Sequence, residues 1–217
     1  MDQKVSELLN DQVNKELYSA YLYLDMANFY ANQGLDGFAN WYEIQAKEEQ
    51  DHAMLIYKYL HNNDQMVTLG AIAKPDKEYK ELMDPLKAAH AHEQYVTGLI
   101  NAIYDAALEA KDHRTVQFLD WFVKEQGEEE VNSSGMIRKM ELFGGDAKAL
   151  YMLNSELAGR TYSAPPASTS RVTPVRSGVR RRDCTAPLTG TASSHTLCQM
   201  PDTGVYHIPW GRLCCLP

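Results

Sequence analysis

Apolar residues recur at steps of three and four through most of the first 157 positions, the period of one helical face, and the pattern breaks at a few defined points. A first helix is predicted from about Val5 to Asn32, with Gly34 and Gly37 supplying the break after it. A second runs from Asp36, read as its N-cap, to about Asn62. Residues 63–83 have no clean period. That is long for a turn, so the segment is expected to span the length of the fold. Asp84-Pro85 reads as the start of a third helix, with Asp84 as N-cap, continuing to about Ala110. Asp112 caps a fourth, Gly144-Gly145 ends it, and Asp146 caps a short fifth helix through Leu157. Two hairpins joined by a long crossover describe an all-α four-helix bundle with a short fifth helix.

Each long face is interrupted in its middle by polar groups. The first reads Val5, Leu9, Gln12, Glu16, Ala20, Tyr23, Ala27, Tyr30, and the second Leu35, Ala39, Tyr42, Ala46, Glu49, Ala53, Ile56, Leu60, with His52 beside Glu49. The third carries Glu93 between Ala89 and Val96, and the fourth carries Gln126 and Glu129 between Phe122 and Met136. Glu16 to Glu49 is 33 residues, and so is Glu93 to Gln126. In both halves a single Glu precedes a pair at i and i+3, so two similar hairpins would bring all six side chains to one level of the core. A lone Glu-x-x-His is most often a solvated face or a satisfied polar pair. Four mid-face interruptions with matching spacing point instead to a dimetal site. Buried carboxylates repel one another and each costs several kcal/mol to desolvate, whereas two divalent cations would neutralise all four. Oxygen ligands with one imidazole suit iron or manganese, although zinc also binds such groups.

Composition divides the chain near Arg160. The first 160 residues hold 15 basic and 27 acidic side chains, whereas the last 57 hold 6 Arg, no Lys and 2 Asp. All 4 cysteines and 7 of the 9 prolines fall in that last part. Residues 1–160 are therefore read as one helical domain. Residues 161–217 are read as a basic, Cys- and Pro-containing extension with the composition of a disordered segment. The overall balance of −8 favours cations as partners and disfavours a general nucleic-acid role. No apolar run approaches the roughly 20 residues needed to cross a bilayer, and the start, MDQKVSELLN, has no secretory pattern. A cytoplasmic protein is expected.

The stretches ELYSAYLYL (16–24), GFANWYEIQAKEEQDHAM (37–54), AHEQYVTG (91–98), DHRTVQFLDWFVKEQGEEE (112–130) and MIRKMELFGGDAKALYMLNSELAG (136–159) resemble prokaryotic non-haem ferritin over nearly all of residues 1–162. The resemblance implies that Glu16, Glu49 and His52 hold one iron, and that Glu49 bridges to a second held by Glu93, Gln126 and Glu129. It further implies oxidation of Fe(II) by dioxygen or peroxide and storage of ferric oxide in a homo-oligomeric shell of twenty-four subunits, with two irons at the site of each. Glu48, Glu125 and Glu128 match a third iron site of such proteins; on spacing alone a solvated acidic face is the better reading of the three. Tyr23 is implied to be a redox-active phenol at the catalytic centre, with Trp121 in a similar role, and core packing is the alternative for both. Haem is not expected, because Gln50 stands where bacterioferritin has its haem methionine. The paired CxxC motifs of rubrerythrin are missing too. A ferritin-like di-iron peroxidase and a passive mineral-nucleating shell are the alternative functions.

Two features depart from this pattern. Asn132-Ser-Ser-Gly135 strings together poor helix formers just after Glu129, which predicts a weak or bent turn in the fourth helix. In the extension, Val179-Arg-Arg-Arg-Asp183 invites a nucleic-acid or membrane reading, and Cys184, Cys198, Cys214 and Cys215 invite a metal or disulfide reading. The spacing favours neither, and an appended segment without an evolved role is the expectation.

Overall fold

A computed structural model describes residues 1–165. The expectations for Arg180 to Arg182 and the four cysteines lie outside the described residues. Five helices follow one another: α1 (Gln3–Asn32), α2 (Asp36–Asn62), α3 (Met83–Glu109), α4 (His113–Phe143) and α5 (Ala147–Leu157). The short breaks after α1 and α3 make each pair an antiparallel hairpin. Gly34, at φ +73°, supplies the left-handed residue after α1.

The segment between α2 and α3 runs back along the outside of α1. Ser6 pairs with Gln65 at 3.0 Å, Asn10 exchanges two hydrogen bonds with the Thr68 backbone, and Asn14 donates to the Ala71 carbonyl at 3.1 Å. These three α1 residues are four apart, so one polar stripe of the helix guides the crossover. Further along, Tyr79 packs edge-on against Phe29, and Tyr30 donates to the Leu82 carbonyl at 2.6 Å. The crossover thus returns the chain to the end of the bundle where α2 began, and α3 runs parallel to α2.

Caps divide into expected and unexpected ones. Asp112 and Asp146 accept from the backbone N–H of Thr115 and Ala149, as their sequence positions predict. Asp36 and Asp84 do not cap as expected, since both lie inside the first helical turn. Asp84 instead accepts from the N–H groups of Lys80 and Glu81 and so fixes the approach to α3. At α2 the cap comes from a distant element: Asn154 of α5 accepts from the N–H of Gly37 at 2.8 Å and of Phe38 at 3.2 Å. A tertiary acceptor displaced the local one. The helix also continues unbroken through Asn132–Gly135, so the weak turn expected there does not interrupt it. There Ser133 is tied to the Glu129 carbonyl at 2.8 Å and to His90 Nδ1 at 3.0 Å, so packing on α3 overrides weak propensity.

The core is two apolar clusters with a polar layer between them. One contains Tyr23, Met26, Tyr30, Phe38, Tyr42, Leu86, Met136, Met140 and Leu153. The other contains Val5, Leu9, Val13, Ile56, Leu60, Val96, Ile100, Leu119 and Phe122. Every residue of the predicted α1 face is buried. The apolar clusters hold the helices at both ends of the layer, which leaves the polar side chains at fixed positions relative to one another.

The Asn154 contact makes α5 part of the α2 start. A Cβ added at Gly37 would sit 1.7 Å from the Asn154 carbonyl oxygen, so Gly37→Ala must push α5 away. Asn154→Ala should cost about 1 kcal/mol, the usual loss for a cap, and Gly37→Ala should cost more. Amide hydrogen exchange across α5 measures both, with faster exchange expected in each variant. Unchanged α5 protection in Gly37→Ala would contradict this account.

Candidate metal centre

The layer between the apolar clusters is built by one turn from each long helix. Glu16, Glu49, His52, Glu93, Gln126 and Glu129 are all buried there, none more than 7% exposed. The six residues singled out by the sequence are brought together. Ligand atoms of Glu16, Glu49 and His52 lie within 4.8 Å of one another, and this is the only such three-residue group of His, Cys, Asp or Glu among the described residues. His52 Nδ1 faces Glu49 Oε2 at 3.4 Å.

Two glutamines support these carboxylates from one turn earlier. Gln12 Nε2 donates to Glu16 Oε1 at 2.9 Å, and Gln45 Nε2 donates to Glu49 Oε1 at 3.2 Å. Glu16 Oε2, by contrast, is fully buried and has no hydrogen-bond partner. A native core leaves few such atoms unsatisfied, and an orphaned carboxylate oxygen beside a second carboxylate and an imidazole fits a cation.

The other half of the layer is knit together by hydrogen bonds. Gln126 Nε2 donates to Glu93 Oε2 at 3.1 Å and lies 3.3 Å from the Glu93 carbonyl. Tyr23 donates its hydroxyl to Glu93 Oε1 and stacks on Tyr42 at a centroid distance of 5.7 Å. This places Tyr23 in contact with the centre, beyond a pure packing role. A groove of about 560 Å³ between α3 and α4, lined by His90, Thr97, Asn101, Glu130 and Ser134, reaches Gln126.

Electrostatics follow from burial. Desolvation, reinforced by Glu49, pushes Glu16 from 4.5 up to about 8. Burial and Glu49 likewise raise Glu129 to about 7 and hold Glu93 well above the carboxylate range. For Glu49 burial acts upward, but His52 outweighs it and the carboxyl is lowered. For His52 burial acts downward, but Glu49, Glu16 and Glu129 lift it to about 10. Burial and the neighbouring Glu93 keep the Tyr23 phenol protonated. The charge pattern of these side chains is therefore one ion pair, His52 with Glu49, surrounded by carboxyls whose proton affinity is raised. A divalent cation would displace their protons and stabilise the ionised set.

The outer acidic residues are arranged differently. Glu48 and Glu125 are half-buried, and Glu128 is exposed and pairs with Lys124 at 3.4 Å. Glu48 is in a salt bridge with Arg160 at 2.5 Å. Glu48, Glu125 and Glu128 do not converge as tightly as the inner group. Trp121 packs edge-on to His52, with ring centroids 5.4 Å apart. Sequence reasoning gave no role to Gln12, Gln45 or Arg160. A signal for the first two was present: Gln12 to Gln45 is again 33 residues, so the repeat includes the supporting amides.

Comparison with known proteins gives one consistent relationship. A ferritin-like domain family model matches residues 6–143. The chain is 38% identical to a bacterial non-heme ferritin of Campylobacter jejuni over 152 residues, covering 70% of this chain and 91% of the relative. It is 34% identical to a probable bacterial non-heme ferritin-like protein of Haemophilus influenzae, covering 76% and 99%. Among solved structures, a closed form of Archaeoglobus fulgidus ferritin engineered by mutagenesis superposes with TM-score 0.73 at 38% identity, covering 75% of this chain and 99% of that one. The open-pore ferritin of the same organism gives 0.72 at 38% identity, covering 74% and 99%.

The charge pattern predicts how the metal-free protein responds to pH. Glu16 and Glu129 keep protons in the folded state that the unfolded chain releases above 4.5, so folded-state stability falls as pH rises from there to about 8. His52 acts in the same direction between 6.5 and about 10. The denaturation midpoint of metal-free protein should therefore fall between about pH 5 and about pH 9, with a shallower slope in Glu16→Gln. Adding Zn(II) at neutral pH should release on the order of two protons per subunit. A midpoint that rises over this interval, or a slope indifferent to Glu16→Gln, contradicts the charge assignment.

Proposed function

Because the chain belongs to the ferritin family, we propose that its role in iron storage begins with oxidation of Fe(II) at the buried layer of each subunit. The observation that carries this reading is the orphaned Glu16 Oε2, in the residue group whose ligand atoms, with those of Glu49 and His52, lie within 4.8 Å of one another. Glu16, Glu49 and His52 hold one Fe(II), and Glu49 reaches across to a second held by Glu93, Gln126 and Glu129. Glu48, Glu125 and Glu128 form a third, weaker position on the outer side of α2 and α4.

Iron is the substrate here. Two Fe(II) ions give up one electron each, and dioxygen takes up both with two protons to leave hydrogen peroxide; peroxide can replace dioxygen as oxidant. A set of ionised oxygen ligands favours Fe(III) over Fe(II), so binding itself helps the electron leave. Gln12 and Gln45 hold Oε1 of Glu16 and Glu49, which leaves Glu16 Oε2 without a partner and Glu49 Oε2 facing His52, the neighbouring ligand. Tyr23 orients Glu93 and stands within reach as an electron donor. The ferric product passes to a mineral inside a shell of twenty-four copies. Residues 1–160 carry this function in a cytoplasmic protein, and the extension is an appendage to it. Among the described residues no helix is long and apolar enough to cross a membrane.

An anaerobic Fe(II) titration followed by admission of air tests the reading through ferric absorbance. Oxidation should be fast and continue over many additions into a soluble mineral. Glu49→Ala, which removes the shared ligand, should slow it by about a hundredfold or more, within the range seen for loss of a key electrostatic group. Glu128→Ala should change the rate by less than about threefold, as expected of an exposed, screened charge. Equal rates in the two variants would reverse the ranking of the inner and outer sites. A fast phase that stops, with iron precipitating, would leave a working centre and remove storage.

A further inference from the structure

The chain does not end its packing at α5. After Leu157 it lies along α2 as a short strap. Asn40 Nδ2 donates to the carbonyls of Leu157 at 3.3 Å and Arg160 at 3.2 Å, and Tyr162 donates to Asp51. Between these anchors the Arg160 guanidinium sits over the Trp41 ring, 4.1 Å from its centroid. Nη1 donates to the Trp41 carbonyl at 3.1 Å and to Gln45 Oε1 at 3.0 Å, while Nη2 donates to Glu48. The Glu48 and Arg160 side chains are only 18% and 16% exposed, so the pair is shielded from bulk solvent.

Two consequences follow from the chemistry of a guanidinium, which only donates. Gln45 must turn its oxygen to Arg160, and its Nε2 is thereby directed at Glu49 Oε1. Glu48, meanwhile, is engaged by a fixed positive charge at the place where a metal ligand is needed. Arg160 takes one Glu48 oxygen, so a cation on the other would compete with the guanidinium for the same negative charge.

We infer that Arg160 is a latch on the outer metal position: it holds Glu48 as an internal counter-cation, and a divalent ion binds there in competition with the guanidinium. The inference rests on the reading of Glu48, Glu125 and Glu128 as a third cation position. Arg160 is a positioning residue, acting through Glu48 and Gln45 and touching no inner ligand. The latch keeps the outer position weak while the inner pair fills. Its release frees the strap from Glu48 and Gln45 at once, because one side chain makes both contacts.

Calorimetric titration of the full metal-free chain with Zn(II), a redox-silent probe, separates the possibilities. Wild type should bind two ions tightly and a third weakly, with Glu49→Ala abolishing tight binding. In Arg160→Gln the third ion should bind roughly tenfold tighter, the size expected for removing a part-buried competing charge. Glu48→Gln should lose the third ion, and the double variant Arg160→Gln/Glu48→Gln should show no gain over Glu48→Gln alone. A merely structural role for Arg160 would weaken all three ions together, and this or an unchanged third affinity overturns the latch. Should Arg160→Gln fail to fold, Arg160→Lys serves instead. Its ammonium is a point charge without the planar fork, so the third ion should tighten about threefold, and an unchanged affinity again overturns the proposal. Absence of tight binding in wild type would instead overturn the dimetal reading itself.

Discussion

Four carboxyl groups and an imidazole buried in the middle of a helical bundle set the terms for everything around them. Ionised and unpaired, each would cost several kcal/mol to desolvate. The metal-free protein meets that cost by keeping protons on Glu16 and Glu93, by pairing Glu49 with His52, and by donating amides from Gln12, Gln45 and Gln126. None of these devices satisfies Glu16 Oε2. The polar layer is held against its own repulsion by the apolar clusters on either side. Those clusters hold the helices against one another, and the layer inherits its geometry from them.

The same logic explains why short elements at the periphery matter. The short α5 helix caps the start of α2 through Asn154, and the strap after it reaches Trp41, Gln45, Glu48 and Asp51. The helix carrying Glu49 and His52 is thus fastened by the C-terminal part of the bundle at successive levels from Gly37 to Asp51. Ser6, Asn10 and Asn14 fasten the crossover to α1 in a comparable way. Polar stripes on the outsides of α1 and α2 do for the connections what the apolar faces do for the core.

Much of this was legible in the sequence because periodicity and interruption are local signals. The α1 face from Val5 to Tyr30 is buried at every predicted position, and the six interrupting residues share one layer. What periodicity could not reveal is competition between a local partner and a distant one. Asp36 and Asp84 look like N-caps, yet Asn154 occupies the α2 start and the chain before α3 turns Asp84 to Lys80 and Glu81. Asn132 to Gly135 look like a weak turn, but the Ser133 bond to His90 and the neighbouring Met136 in the core hold the helix. Arg160 sits at the composition boundary, and its contacts with Gln45 and Glu48 span more than a hundred residues, beyond the reach of any spacing rule.

The two halves of the centre repeat in sequence but differ in their state. In the first half Glu16 offers an oxygen that nothing occupies, beside the ionised Glu49. In the second half both oxygens of Glu93 are engaged, one by the Tyr23 hydroxyl and one by the Gln126 amide. A cation arriving at the first half must displace the Glu16 proton and part His52 from Glu49, whereas one arriving at the second must compete with two donors on Glu93. The presence of Gln126, where the first half has Glu49, is what creates the difference, since an amide can donate to Glu93 and an ionised carboxylate cannot. An unequal pair of positions therefore follows from one change in residue type between otherwise matching hairpins.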